Sequence, residues 1–108
     1  MANDGQPRPS EPITVHIDPE LADLIPGFLE NRRKDVTVML GALQQGDYKT
    51  VRVLGHSMKG AGGGYGFDAI TDIGAALEQA AKDNNAEAIR KWVGELSAYL
   101  DRVEVVYD

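Results

Sequence analysis

The chain has 108 residues and sets 11 Lys and Arg against 17 Asp and Glu, a formal net charge of −6; with 43% hydrophobic and 26% charged residues it has the composition of one globular domain with a single core. The absence of cysteine excludes a disulfide scaffold, a thiolate metal site and a catalytic thiol. A pI near 4.8 without any Lys/Arg block argues against nucleic-acid binding, and with no secretory h-region or membrane-length apolar run the expectation is a soluble, cytoplasmic protein that does not engage a membrane.

Pro7, Pro9 and Pro12 stand among small polar residues, so residues 1–12 are expected to be a disordered tail and residues 13–108 the domain. Ile13, Val15 and Ile17 then alternate with Thr14 and His16, the period of an extended segment that cannot make a sheet alone. Asp18-Pro19-Glu20 reads as a helix start, with Asp18 as cap and Pro19 at the first helical position. That short helix is expected to run to about Ile25, where Pro26 breaks it and a second helix begins, lasting to Gln44. The stripe of this second helix is Phe28, Leu29, Arg32, Val36, Met39, Leu40 and Leu43, one buried face.

Gln45-Gly46-Asp47 ends that helix and caps the next, in which Tyr48, Val51, Leu54, Met58, Ala61 and Tyr65 step by three or four and predict a helix to about Gly62. Another is expected from about Phe67 to Asp83, with Ile70, Ile73, Gly74, Leu77, Ala80 and Ala81 inward, before the polar stop Asn84-Asn85. The last starts near Ala86 and carries Ile89, Trp92, Val93, Leu96, Tyr99, Leu100 and Val103, fading into Val105, Val106 and Tyr107. Short connections between four amphipathic helices make antiparallel neighbours, so the expected fold is all-α: an antiparallel up-and-down four-helix bundle with a short additional N-terminal helix.

One segment contradicts its own pattern. Gly55, Gly60, Gly62, Gly63, Gly64 and Gly66 place six of the twelve glycines in a stretch that otherwise reads as helix, and each interior glycine costs about 1 kcal/mol relative to alanine. Such conflicts gather at functional sites. The face opposite the apolar stripe carries Lys49, Arg52, Val53, His56, Lys59, Gly60 and Gly63, which leaves His56 exposed between cations, with no side chain at Gly60 to cover it. A neutral ring nitrogen there can attack phosphorus and form a phosphoramidate. The ring nitrogen is itself the nucleophile, so no dedicated base is required. His16 has no partner at ligand spacing and reads as structural or solvated, and no metal site is expected.

The run His56-Ser57-Met58-Lys59-Gly60-Ala61-Gly62-Gly63-Gly64-Tyr65-Gly66-Phe67 resembles the signature of histidine-containing phosphotransfer (HPt) domains, including the amino-terminal domain of chemotaxis histidine kinases. The family pattern is His, then Lys-Gly three and four residues on, then an aromatic or aliphatic residue, Gly and a hydrophobic residue. The likeness takes in about residues 13–107, since Pro26, Phe28-Leu29, Gly46-Asp47 and Leu77-Glu78 also match, and it departs at the Gly62-Gly63-Gly64 run, where that helix is expected to fray.

The resemblance implies a phosphoryl carrier of a two-component phosphorelay: His56 accepts a phosphoryl group from a receiver aspartate or a histidine kinase and passes it to a receiver aspartate. It implies Lys59 as the cation beside the phosphoryl group, Gly60 as the small residue permitting receiver approach, and Glu78 as the hydrogen-bond partner that fixes the imidazole tautomer. Arg52, Val53 and Gly63 are the expected partner contacts. The chain has no Gly-rich loop followed by Lys-Ser/Thr, so it is expected to bind no nucleotide, to need no cofactor of its own and to act as a covalent intermediate rather than an enzyme, with Mg²⁺ on the partner receiver. The expected state is a monomer. Two alternatives stay open: an interaction module that binds a receiver or kinase without being phosphorylated, and the phosphoacceptor fragment of a chemotaxis-type kinase.

Overall fold

The computed structural model describes residues 11–108. The chain forms a strand β1 (Ile13–Ile17), a 3-10 turn (Pro19–Leu21), four helices and a closing strand; the helices are α1 (Ile25–Gln44), α2 (Tyr48–Gly64), α3 (Asp68–Lys82) and α4 (Ala86–Arg102), and the strand is β2 (Val103–Tyr107). Helices consecutive in sequence pack side by side and α4 closes on α1, which makes the expected up-and-down bundle. Residues 1–10 of the expected tail lie outside the described residues, while Glu11 and Pro12 are exposed, with the Glu11 carbonyl accepting from Arg102 Nε at 2.8 Å.

All three helix connections are built alike. After α1, Gly46 takes φ +70°, its N–H reaching the Leu43 carbonyl at 3.1 Å while that of Asp47 reaches Ala42 at 2.8 Å. Gly66 (φ +93°) and Phe67 do the same to Gly63 and Gly62 at 3.1 and 2.8 Å; Asn84 (φ 51°) and Asn85 do it to Ala81 and Ala80 at 3.1 and 2.9 Å. These are Schellman closures, which satisfy the last carbonyls of a helix through one left-handed residue. In each, the residue completing the closure is the N-cap of the following helix: Asp47, Phe67 and Asn85. Asp47 Oδ1 accepts from the Thr50 N–H at 3.1 Å and Asn85 Oδ1 from that of Ala88 at 3.1 Å, whereas Phe67 caps with no side-chain bond and instead buries its ring against Phe28, with centroids 5.5 Å apart.

The structure corrects several expectations. The N-terminal helix is only the Pro19–Leu21 turn, in which Asp18 Oδ1 accepts from the Glu20 N–H at 2.9 Å; Pro26 lies in the first turn of α1, where its missing amide costs nothing. α2 does not fray in the glycine run but continues to Gly64, because Gly66 supplies the left-handed closure. Leu40 is 44% exposed, off the buried face on which Phe28, Leu29 and Met39 lie.

Val103 does not extend the α4 stripe. It opens β2, which pairs in parallel with β1 in the register Ile13↔Val103 to Ile17↔Tyr107. Ile13, Val15, Val103 and Val105 pack against the bundle, and Ile17, 2% exposed, is part of the core. His16 is exposed and pairs with Asp108, Nδ1 to Oδ1 at 2.9 Å.

Candidate functional site

The site exists because α2 and α3 touch backbone to backbone. A Cβ built on Gly55 would lie 2.7 Å from the Glu78 nitrogen and 2.9 Å from the Gly74 oxygen, and one on Gly74 would lie 2.5 Å from the Lys59 nitrogen. One on Gly62 would meet the Thr71 nitrogen at 2.6 Å. No larger residue fits at these three positions without separating the helices. Thr71 adds a bond across the seam, its hydroxyl donating to the Lys59 carbonyl at 3.2 Å. Gly60 is different: nothing lies within 4 Å of where its Cβ would be, and Gly63 meets only Thr71 Oγ1 at 3.5 Å.

This approach brings Glu78 under His56. The Glu78 side chain is 11% exposed, and Oε1 pairs with Lys59 Nζ at 2.8 Å while Oε2 lies 3.0 Å from His56 Nδ1. A carboxylate only accepts, so Nδ1 carries the hydrogen and in the neutral ring the lone pair is left on Nε2. The His56 side chain is 70% exposed. The Lys59 hydrogen bond, followed by that of His56 and the charges of Lys59 and Lys82, outweighs burial and holds the Glu78 carboxyl down to about 2, against an ordinary 4.5.

Of the expected site residues, His56, Lys59 and Glu78 form one hydrogen-bonded cluster. Arg52 and Val53 join His56 and Glu78 along a groove between α2 and α3, where Val53 is 53% exposed. Gly60 and Gly63 are exposed on later turns of α2, outside that groove. Two features escaped the sequence reading. Lys82 lines the same groove with its Nζ 3.7 Å from Glu78 Oε2, and its i,i+4 spacing from Glu78 was the available signal. The Gly55–Gly74 contact has no local signal, because it depends on how two helices cross.

An exposed imidazole with a free Nε2, an anchored Nδ1–H and a lysine one turn on can form and hold a phosphoramidate. The sequence pattern of the Hpt domain family matches residues 23–105. The chain belongs to the Hpt domain family. Membership gives this Hpt domain a histidine phosphotransfer role in phosphorelay signalling, among receiver domains and histidine kinases. The match begins after β1, so the likeness is narrower than the expected 13–107. No curated protein and no solved structure gives a significant match to the chain. Among the described residues of this Hpt domain no helix is long and apolar enough to cross a membrane, and no group of three His, Asp or Glu side chains is arranged to hold a metal ion.

Proposed function

We propose that this Hpt domain is a phosphoryl carrier whose acceptor is His56 Nε2, taking the group from a receiver aspartyl phosphate or a histidine kinase and delivering it to a receiver aspartate. The observation that carries the reading is the pairing of a 70% exposed imidazole with a nearly buried carboxylate at Nδ1. In the forward step the Nε2 lone pair forms the N–P bond, the acyl phosphate P–O bond breaks, and the aspartate leaves as its carboxylate. The Nδ1 hydrogen stays in place, so the ring becomes cationic as it is phosphorylated, and Glu78 stabilises that charge. Lys59 neutralises phosphoryl oxygens, Gly60 leaves room for the receiver, and Arg52, Val53 and Gly63 contact it. The domain acts as a monomeric covalent intermediate rather than an enzyme and requires no cofactor of its own; the Mg²⁺ of the transfer belongs to the receiver.

Incubation of the purified chain with a panel of phosphorylated receivers, read by intact mass and acid lability, tests this. An acid-labile phosphoryl adduct that His56→Gln abolishes without loss of helicity is the expected result. Label persisting in that variant refutes the assignment, and binding without label from any receiver or kinase favours an interaction-only module.

A further inference from the structure

Glu78 has two oxygens and three partners. Lys59 Nζ at 2.8 Å and His56 Nδ1 at 3.0 Å are at hydrogen-bond distance, one on each oxygen; Lys82 Nζ, at 3.7 Å from the His56-bound oxygen, is an ion-pair neighbour just beyond it. Lys82 is one turn after Glu78 on α3, 52% exposed, and lines the groove with Arg52, Val53 and His56. At rest Lys59 neutralises the carboxylate. A phosphoryl group on Nε2 brings up to about two negative charges close by, and the lysine meant to meet them is the one already engaged by Glu78. If Lys59 turned away alone, a carboxylate 11% exposed would face the phosphoryl group with only the imidazole as donor, an arrangement that like-charge repulsion and poor hydration both oppose.

We propose that Lys82 is a positioning residue that relieves Lys59: as Lys59 turns from Glu78 to the phosphoryl oxygens, Lys82 closes to hydrogen-bond distance on Glu78 and keeps it neutralised. The inference rests on the carrier reading of His56. The exchange moves no covalent bond, and the Nδ1–H stays on Glu78 throughout.

Potassium phosphoramidate as donor removes any docking partner: Nε2 forms the new N–P bond, the donor's P–N bond breaks, and its electron pair leaves with ammonia. Labelling of His56 is timed in the wild type, Lys82→Met, Lys82→Arg, Glu78→Gln and the Glu78→Gln, Lys82→Met pair. Lys82→Met is expected to slow labelling roughly threefold to tenfold, with melting temperature unchanged and Lys82→Arg restoring the rate. In the Glu78→Gln background the second substitution adds nothing, since there is no carboxylate left to neutralise. In ¹⁵N spectra the ammonium exchange of Lys82 is expected to slow on phosphorylation, while that of Lys59, now held by the phosphoryl oxygens, stays slow. A labelled wild type with an equally fast Lys82→Met variant overturns the proposal. So does an equal loss in the Glu78→Gln background, which would place Lys82 on the phosphoryl group itself. A wild type that takes no label from phosphoramidate or from any phosphorylated receiver sinks the carrier reading, and this inference with it.

Discussion

Glu78 combines two tasks that substitution can separate. Gln at this position keeps an acceptor oxygen for the His56 Nδ1–H but cannot pair with Lys59 as an ion. Glu78→Gln is therefore expected to preserve the imidazole tautomer in ¹⁵N spectra, whereas Glu78→Ala yields a tautomer mixture and slower phosphoryl acceptance. Acid dependence follows from the depressed carboxyl. Because the folded value, about 2, lies below the ordinary 4.5, the stability contributed by ionised Glu78 is complete above pH 4.5 and is lost as pH falls towards 2. The gap in melting temperature between wild type and Glu78→Gln should close across that window; a constant gap would show that the charge of Glu78 does not stabilise the fold. His56, Lys59 and Glu78 were legible as a trio because the resembling motif carries the first two and the family likeness at Leu77-Glu78 the third. Lys82 was not, because its importance depends on which oxygen it faces.

Between elements, the glycines divide into two kinds that composition cannot tell apart. Gly55, Gly62 and Gly74 are small because α2 and α3 approach to backbone contact; Gly60 has open space around it. Gly55→Ala must push Glu78 away and should cost about 1–3 kcal/mol while loosening the His56–Glu78 bond. Gly60→Ala should leave the fold intact or stabilise it by up to about 1 kcal/mol, yet impair transfer from a receiver while phosphoramidate labelling proceeds. Thermal melts with the two donors separate these outcomes, and a Gly55→Ala protein as stable as wild type would refute the close-packing account. The four helices were readable to within about two residues, since Gly46, Asn84 and the caps Asp47 and Asn85 are local signals. β2 was not readable. Val103 continues the spacing of Leu96, Tyr99 and Leu100, and only the pairing with β1, ninety positions away in register, makes it a strand.

For the molecule as a whole, the parallel ribbon ties the first described segment to the last and lies partly beyond the family match, which ends at residue 105 and starts after β1. Its anchor is Ile17, whose Cδ1 occupies the space a Cβ on Gly66 would need, at 2.8 Å. Ile17→Ala is expected to cost about 2–5 kcal/mol and to raise amide exchange along β2, measurable by hydrogen exchange; protection unchanged in β2 would mean that the ribbon is held independently of the core.

The strand directions decide how the domain would meet a pulling force. Ile13 lies beside Val103 and Ile17 beside Tyr107, so handles placed before β1 and after β2 draw the strands past each other along their own axes. The ribbon's hydrogen bonds are then loaded together, in shear, instead of opening one by one. A domain whose four helices alone would peel apart at low tension thus carries a mechanical latch at its ends, and tethering it by residues 13 and 107 should give a higher rupture force than tethering it by residues 25 and 102.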